Sequence, residues 1–248
     1  ELIIVDDGST DQTSSLVQQY ISDKRIKYLT QSNSGPSAAR NNGVKASNGK
    51  YIMPLDSDDK IASSYLELGV KYMELHNECT IFYGNSLYFG CKNGQFGIKY
   101  QGYKSLLVYN CIPCTCIYRR SDFERVGGYD VNQRGLEDWD FLIRLLFHND
   151  IVYWCETVLF YYRQDNTRKS ITDEVRERTR DIMTKIYLKN IDKYIEYWGT
   201  PHENLDRSVK LQLAIDSYNN AVNSTSYRLG HILLTPVRIV RKWFQLFN

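Results

Sequence analysis

The chain has 248 residues, 42% of them hydrophobic and 24% charged, a globular composition that excludes a disordered protein. A formal net charge of +2 leaves no electrostatic case for nucleic acid as a partner, and no uninterrupted apolar run is long enough to span a bilayer. Of the six cysteines, Cys111, Cys114 and Cys116 crowd together, but no second cysteine or histidine cluster follows to complete a zinc site. They are expected to be reduced structural thiols in apolar surroundings, which fits a cytoplasmic protein.

Taken in order, "ELIIV" is a buried-strand run at the first residue. A buried parallel strand needs hydrogen-bonded neighbours, so at least one strand and one helix are expected to be missing ahead of it. "VDDGSTD" follows, then a helix in "TSSLVQQYIS" with Ser9, Thr10 or Asp11 as candidate caps. "IKYL" reads as a strand, "GPSAARNNGVKAS" as a small-residue helix closed by Gly49, and "YIMPL" as the next strand. The acidic "LDSDD" comes next, and then helical spacing in "SSYLELGVKYMEL". "TIFYGNSLYF" and "CTCIYRR" are further strands, "EDWDFLIRLLFH" a helix, and "IVYWCETVLFYYR" one long or two short strands. Strands alternating with helices predict an α/β fold with a mostly parallel sheet covered on both faces. Charged helix formers take over from about residue 173, joined through "RQDNTRKS". The predicted organisation is therefore an α/β domain over 1–165, a helical appendage over 166–225 and a basic tail over 226–248.

Both acidic motifs directly follow predicted strands, where ligands of open parallel sheets bind. Asp56 and Asp58 lie two apart and share a face if the chain stays extended. Two hard oxygen ligands suit Mg²⁺ or Mn²⁺, which completes its shell with water and substrate phosphate. A solvated acidic turn would satisfy the same spacing. Glu137 and Asp138 follow Gly135 at a helix start, where the macrodipole favours an ionised carboxylate of the kind a general base requires.

In combination, "IIVDDGSTDQT", "NSGPSAARNNGVKASNGKYIMPLDSDD", "RRSDFERVGGYD" and "GLEDWDFLIRL" resemble the successive blocks of the family-2 glycosyltransferases, over about residues 1–165. The resemblance implies the GT-A fold, a Rossmann-like mostly parallel sheet with helices on both faces, followed here by the C-terminal helical appendage. It implies an inverting transferase that moves a sugar from a nucleotide-diphosphate donor, UDP or dTDP, to a hydroxyl of a glycan or lipid-linked acceptor. By the same resemblance Asp7 would hydrogen-bond the nucleobase and Arg40 would contact nucleotide or phosphate. Asp56 would touch the ribose or the metal shell, and Asp58 would hold Mn²⁺ or Mg²⁺ directly. Asp138 would be the base and Glu137 its orienting partner or a sugar contact. Trp139 would line the sugar or acceptor pocket or, the better reading of a tryptophan here, be a half-buried core residue. Asp6 is expected to anchor its loop and Asp59 to cap the following helix. Many relatives carry a histidine near Gln164–Asp165 that completes the metal shell; here Asp165 or water would have to replace it.

Two rival readings remain at this stage: a non-catalytic sugar- or nucleotide-binding module of the same fold, and a metal-dependent phosphoryl-transfer enzyme. The second needs aspartates two apart ahead of the glycine, whereas Asp6 and Asp7 are adjacent. The tail "YRLGHILLTPVRIVRKWFQLFN" has no acid. From Pro236 a helix would gather Arg238, Arg241 and Lys242 on one face beside Trp243 and Phe244, the pattern of a helix lying on an anionic membrane. Peripheral attachment to the cytoplasmic face of the cell membrane is expected.

Overall fold

The computed structural model describes residues 1–149, 151–165 and 171–223. The predicted tail 226–248 lies outside the described residues. The chain divides into two compact units, Glu1–Tyr194 and Ile195–Asn248.

The first unit opens with β1 (Leu2–Asp6), α1 (Thr13–Gln18), β2 (Ile26–Thr30) and α2 (Pro36–Ala46). β1 and β2 pair in parallel, Leu2 opposite Ile26 through Asp6 opposite Thr30, as a two-stranded sheet. α1 has Gln12 at its N-cap with no side-chain cap bond, while Asp11 accepts from the Thr13 backbone N–H at 3.0 Å. α2 begins with Pro36 in its first turn and stops at Ser47, whose backbone is extended. Gly8 sits at φ +80°, and a Cβ there would lie 2.9 Å from the Asn33 backbone nitrogen. Only glycine permits both that turn and that approach.

The chain continues with β3 (Tyr51–Ile52), β4 (Lys60–Ile61), α3 (Tyr65–Leu75), β5 (Ile81–Gly90) and β6 (Gly94–Phe96). Then come α4 (Tyr103–Leu106), β7 (Ile117–Arg119), α5 (Arg120–Arg125), α6 (Glu137–Leu146), β8 (Val152–Gln164) and α7 (Ile171–Lys189). The second sheet runs β3-β7-β5-β8-β4, with β6 paired to β5. In it β5 and β8 pair in parallel and the other ladders are antiparallel. The α/β class stands, and the sheet is mixed: β7 and β8 are long-range partners of β5, so the local strand–helix alternation does not dictate their direction. β8 is one continuous strand, with register shifts opposite Gly84–Asn85 and Asn85–Ser86. β4, β6, α4 and α5 are too short for their periodicity to be read from the sequence.

Tyr65, Met73, Phe82, Ile117, Leu159 and Phe160 form the core between α3 and the sheet. α3 approaches so closely that a Cβ on Gly69 would fall 2.4 Å from Ile117 Cδ1. α6 buries Phe141, Leu142, Ile143, Leu145 and Leu146, a face that begins one turn after the acidic pair Glu137–Asp138. α7 belongs to this unit. Its Lys189 reaches Asp140 of α6 at 2.8 Å and Asp130 at 2.6 Å, and Ile186 is fully buried. α8 (Ile191–Trp198) leads into the second unit, which holds α9 (Pro201–Asn223). No described helix is long and apolar enough to cross a membrane.

Candidate active site

One guanidinium organises the site. Arg40, on α2, donates from Nη2 to Asp56 Oδ1 and from Nη1 to Glu137 Oε1, each at 2.8 Å. It therefore joins the loop after β3 to the start of α6, 97 residues away from it in sequence. The Arg40 and Glu137 side chains are only 14% and 12% exposed, whereas Asp56 keeps 41%. A cation buried to that degree needs both carboxylates, and their field, with Cys114 and Tyr129, outweighs burial and raises its pKa. The Tyr129 ring lies under the same guanidinium, with 5.5 Å from Cζ to the ring centroid. The density of negative charge in "LDSDD" thus has a positive partner within the chain.

Asp58, two residues on, is exposed, and its carboxylate has no hydrogen bond or ion pair among the described residues. The loop is instead tied down through its backbone: Arg163 of β8 donates from Nε to the Asp58 carbonyl at 2.7 Å. Asp59 does not cap α3. That helix follows Ser64 with no side-chain cap, and Asp59 Oδ1 accepts from the Arg163 backbone N–H at 2.8 Å. Its other oxygen is buried without a partner, and burial, with Asp58 and Asp56 beside it, pushes this carboxyl up to about 7.

No group of three or more possible metal-ligating side chains is present among the described residues. Mg²⁺ and Mn²⁺ do not require one, since one or two carboxylates suffice when water and substrate phosphate complete the shell. The donors present fit such an ion: in Asp58 an exposed carboxylate with no protein partner among the described residues, and Asp56 with one oxygen committed to Arg40. Its Oδ2 accepts only from the Cys114 thiol among the described residues, at 3.7 Å.

Asp138 faces the same cluster from α6. Its Oδ1 accepts from the Trp139 backbone N–H and its Oδ2 from Asn110 Nδ2, both at 2.9 Å. Burial and the adjacent Glu137 carboxylate push it up to about 6, against the pull of Arg40 and these two donors. The helix start alone predicts an ordinary ionised carboxylate; the structure makes it a stronger base that is still mostly ionised at neutral pH. Leu136, at φ +55°, and Gly135, at φ +86°, turn the chain sharply into α6 and so set the entry of this acidic pair.

Two of the predicted site residues are engaged within the protein. Trp139 is 3% exposed, and its indole Nε1 donates to the Leu106 carbonyl at 2.6 Å, so it is a core residue and not a pocket wall. Asp7 already holds three protein donors: Gln31 Nε2 at 2.7 Å, Ser34 N–H at 2.8 Å and Gly35 N–H at 2.7 Å. It shapes the loop into α2 before any ligand arrives. Asp6 anchors its loop as expected, accepting from Ser9 N–H at 2.7 Å and from Tyr28 hydroxyl at 2.5 Å. Asn110, Cys114 and Arg163 join the site without having been legible in the sequence. Cys79, Cys111 and Cys116 are buried, but Cys91 is exposed and Cys114 only half-buried.

The family model described as "Glycosyl transferase family 2" matches residues 1–127, just over half of the chain. The chain belongs to glycosyltransferase family 2. An uncharacterized glycosyltransferase of Rickettsia conorii is 51% identical over 77 residues, which cover 31% of this chain and 13% of that protein. The chain thus spans a small part of that relative. A PGL/p-HBAD biosynthesis glycosyltransferase of Mycobacterium bovis is 24% identical over 203 residues, 80% of this chain and 79% of that one. Among solved structures, S. aureus TarS 1–349 in complex with UDP-GlcNAc superposes with a TM-score of 0.62 at 17% identity, over 79% of this chain and 64% of that chain. At that identity the likeness establishes the GT-A fold of this family-2 chain and nothing finer.

Proposed function

We propose that this chain is an inverting transferase that moves a glycosyl group from a nucleoside diphosphate sugar to a hydroxyl of a glycan or lipid-linked acceptor. The observation that carries the reading is the Arg40 bridge. It brings the loop bearing Asp58 and the helix start bearing Asp138 together at one guanidinium. That juxtaposition suits a site that holds a departing diphosphate at the loop and a base for an incoming hydroxyl at the helix start. The donor is a UDP- or dTDP-sugar; the folded likeness to TarS, which has been solved with UDP-GlcNAc and with UDP, supports UDP.

In this mechanism Asp58, with Asp56 beside it, would hold Mn²⁺ or Mg²⁺. When bound, the ion offsets the charge that develops on the leaving diphosphate. Asp138 removes the proton from the acceptor hydroxyl while that oxygen attacks the anomeric carbon. The bond from that carbon to the diphosphate oxygen breaks with its electron pair going to the nucleoside diphosphate, and configuration inverts because attack comes from the opposite face. The proton then passes from Asp138 to solvent. Arg40 offsets the charge of Asp56 and Glu137 beside Asp58 and Asp138. Peripheral attachment to the inner face of the cell membrane through residues 226–248 completes the proposal for lipid-linked acceptors.

The test is stereochemical. With Mn²⁺ and a panel of α-linked UDP- and dTDP-sugars, proton NMR of the first product formed should show the β anomer. An α anomer, or release of phosphate in place of sugar, would contradict the reading.

A further inference from the structure

Asn110 lies between α4 and β7, in a stretch that carries none of the motifs with which the chain's family membership was argued. The structure nevertheless holds it firmly against α6. Tyr103 hydroxyl donates to the Ile143 carbonyl at 2.7 Å, and Trp139 Nε1 donates to Leu106 at 2.6 Å. Leu106, Leu107, Cys111 and Ile112 are all buried on either side of it. The result is an amide whose donor end sits 2.9 Å from Asp138 Oδ2, while its carbonyl oxygen is buried with no partner among the described residues.

That asymmetry is informative. An unpaired buried acceptor is costly, and turning the amide over would not relieve it, because Oδ1 would then face a carboxylate that is itself acceptor-only when ionised. The amide is compatible with Asp138 in its ionised form and is poorly matched to the neutral one. The opposite carboxylate oxygen is held by the Trp139 backbone N–H, so the two donors together fix the plane of the group. The remaining neighbours of Asp138 pull in both directions: Glu137 on its own helix raises its affinity for a proton, Arg40 of α2 lowers it, and the thiols of Cys114 and Cys116 ahead of β7 are neutral.

We propose that Asn110 is a positioning residue whose amide holds the Asp138 carboxylate in the orientation and charge state that proton abstraction needs. The inference rests on the reading of Asp138 as the base. It adds a specific requirement: the loop between α4 and β7 serves the reaction through Asp138.

The experiment is a ¹³C NMR titration of the Asp138 side-chain carboxyl in the full chain, for the unaltered protein and for Asn110→Ala, Asn110→Ser and Asn110→Asp. Asp138 should titrate near 6 in the unaltered chain and upward by about half a unit to one unit in Asn110→Ala, where a donor is lost. Asn110→Asp, which replaces the donor with a like charge, should move it further, and Asn110→Ser, which keeps a hydroxyl donor, should recover part of the shift. Turnover of UDP-GlcNAc with Mn²⁺ is read alongside: kcat should fall roughly tenfold in Asn110→Ala with the donor KM within about twofold. An unmoved titration in Asn110→Ala and Asn110→Asp overturns the proposal. Asp138→Asn, measured in parallel, separates the two claims. Full activity there refutes Asp138 as the base, whereas an inactive Asp138→Asn with silent Asn110 variants refutes the positioning role alone.

Discussion

The two aspartate-rich loops look alike in sequence and are used in opposite ways. In "VDDGS", both oxygens of Asp6 and of Asp7 accept from protein donors, on Ser9, Tyr28, Gln31, Ser34 and Gly35. In "LDSDD", Asp58 carries no partner among the described residues, Asp59 leaves one oxygen without a partner among them, and Asp56 gives one oxygen to Arg40 and the other to the Cys114 thiol. The first loop spends its charge on holding a turn together. The second keeps the Asp58 carboxylate available: Arg163 ties the loop down through the Asp58 carbonyl and the Asp59 carboxylate, and so leaves the Asp58 side chain out of the anchoring. The same contrast recurs within α6. Asp140 is fully buried and compensated by Arg144, Lys189 and Asn190, whereas Asp138, two residues earlier, has no cation bonded to it among the described residues. Compensated acids are structural, and under-compensated acids that face an opening are the ones available for chemistry.

The largest expected effect falls on the under-compensated side. Asp138→Asn should lower turnover by about 10²–10⁴-fold with donor affinity retained, measured as kcat against KM for a UDP-sugar. Since the base must be ionised, kcat/KM of the unaltered enzyme should decline as the pH falls through about 6 and stay level above it. Arg40→Met comes next. It leaves Glu137 and Asp56 facing one another without a cation, and urea denaturation should show a loss of about 3 kcal/mol. On the compensated side the effects are smaller and structural. Asp7→Ala strands the Ser34 and Gly35 N–H groups and should cost about 1–2 kcal/mol of stability. A loss of nucleotide affinity much larger than that stability change would instead restore Asp7 as a direct donor contact. Trp139→Phe, which deletes the bond to Leu106 and part of the indole's packing, should cost at least about 1 kcal/mol and leave the donor KM unchanged.

Much of this was legible in the residues. Strand runs followed at once by carboxylates located both loops, and the helical spacing of "EDWDFLIRLL" located α6 with the acidic pair at its start. What could not be read is everything that depends on contacts distant in sequence. β7 pairs antiparallel to β5 and β8 parallel to it, and no local pattern encodes that difference. Arg40 was identified as a cation near the site, but its two carboxylate partners lie 16 and 97 residues away. Asn110 has no local signature, because its role is given by the packing of α4 on α6. Trp139 illustrates the converse: an aromatic beside a catalytic motif suggests a sugar platform, and burial makes it a core residue. Asp59 was read as a helix cap because it precedes a helix, yet its partner is on β8.

The central claim is that the open carboxylate of "LDSDD" is reserved for a metal-bound diphosphate. The direct measurement is the thermal midpoint of the chain and of Asp58→Asn with UDP, with and without Mn²⁺. Ligand that binds the folded state raises the midpoint by mass action. The account predicts a rise that requires UDP and Mn²⁺ together in the unaltered chain, and no such rise in Asp58→Asn, whose midpoint without ligand should match the unaltered one. An equal Mn²⁺-dependent rise in Asp58→Asn would contradict it.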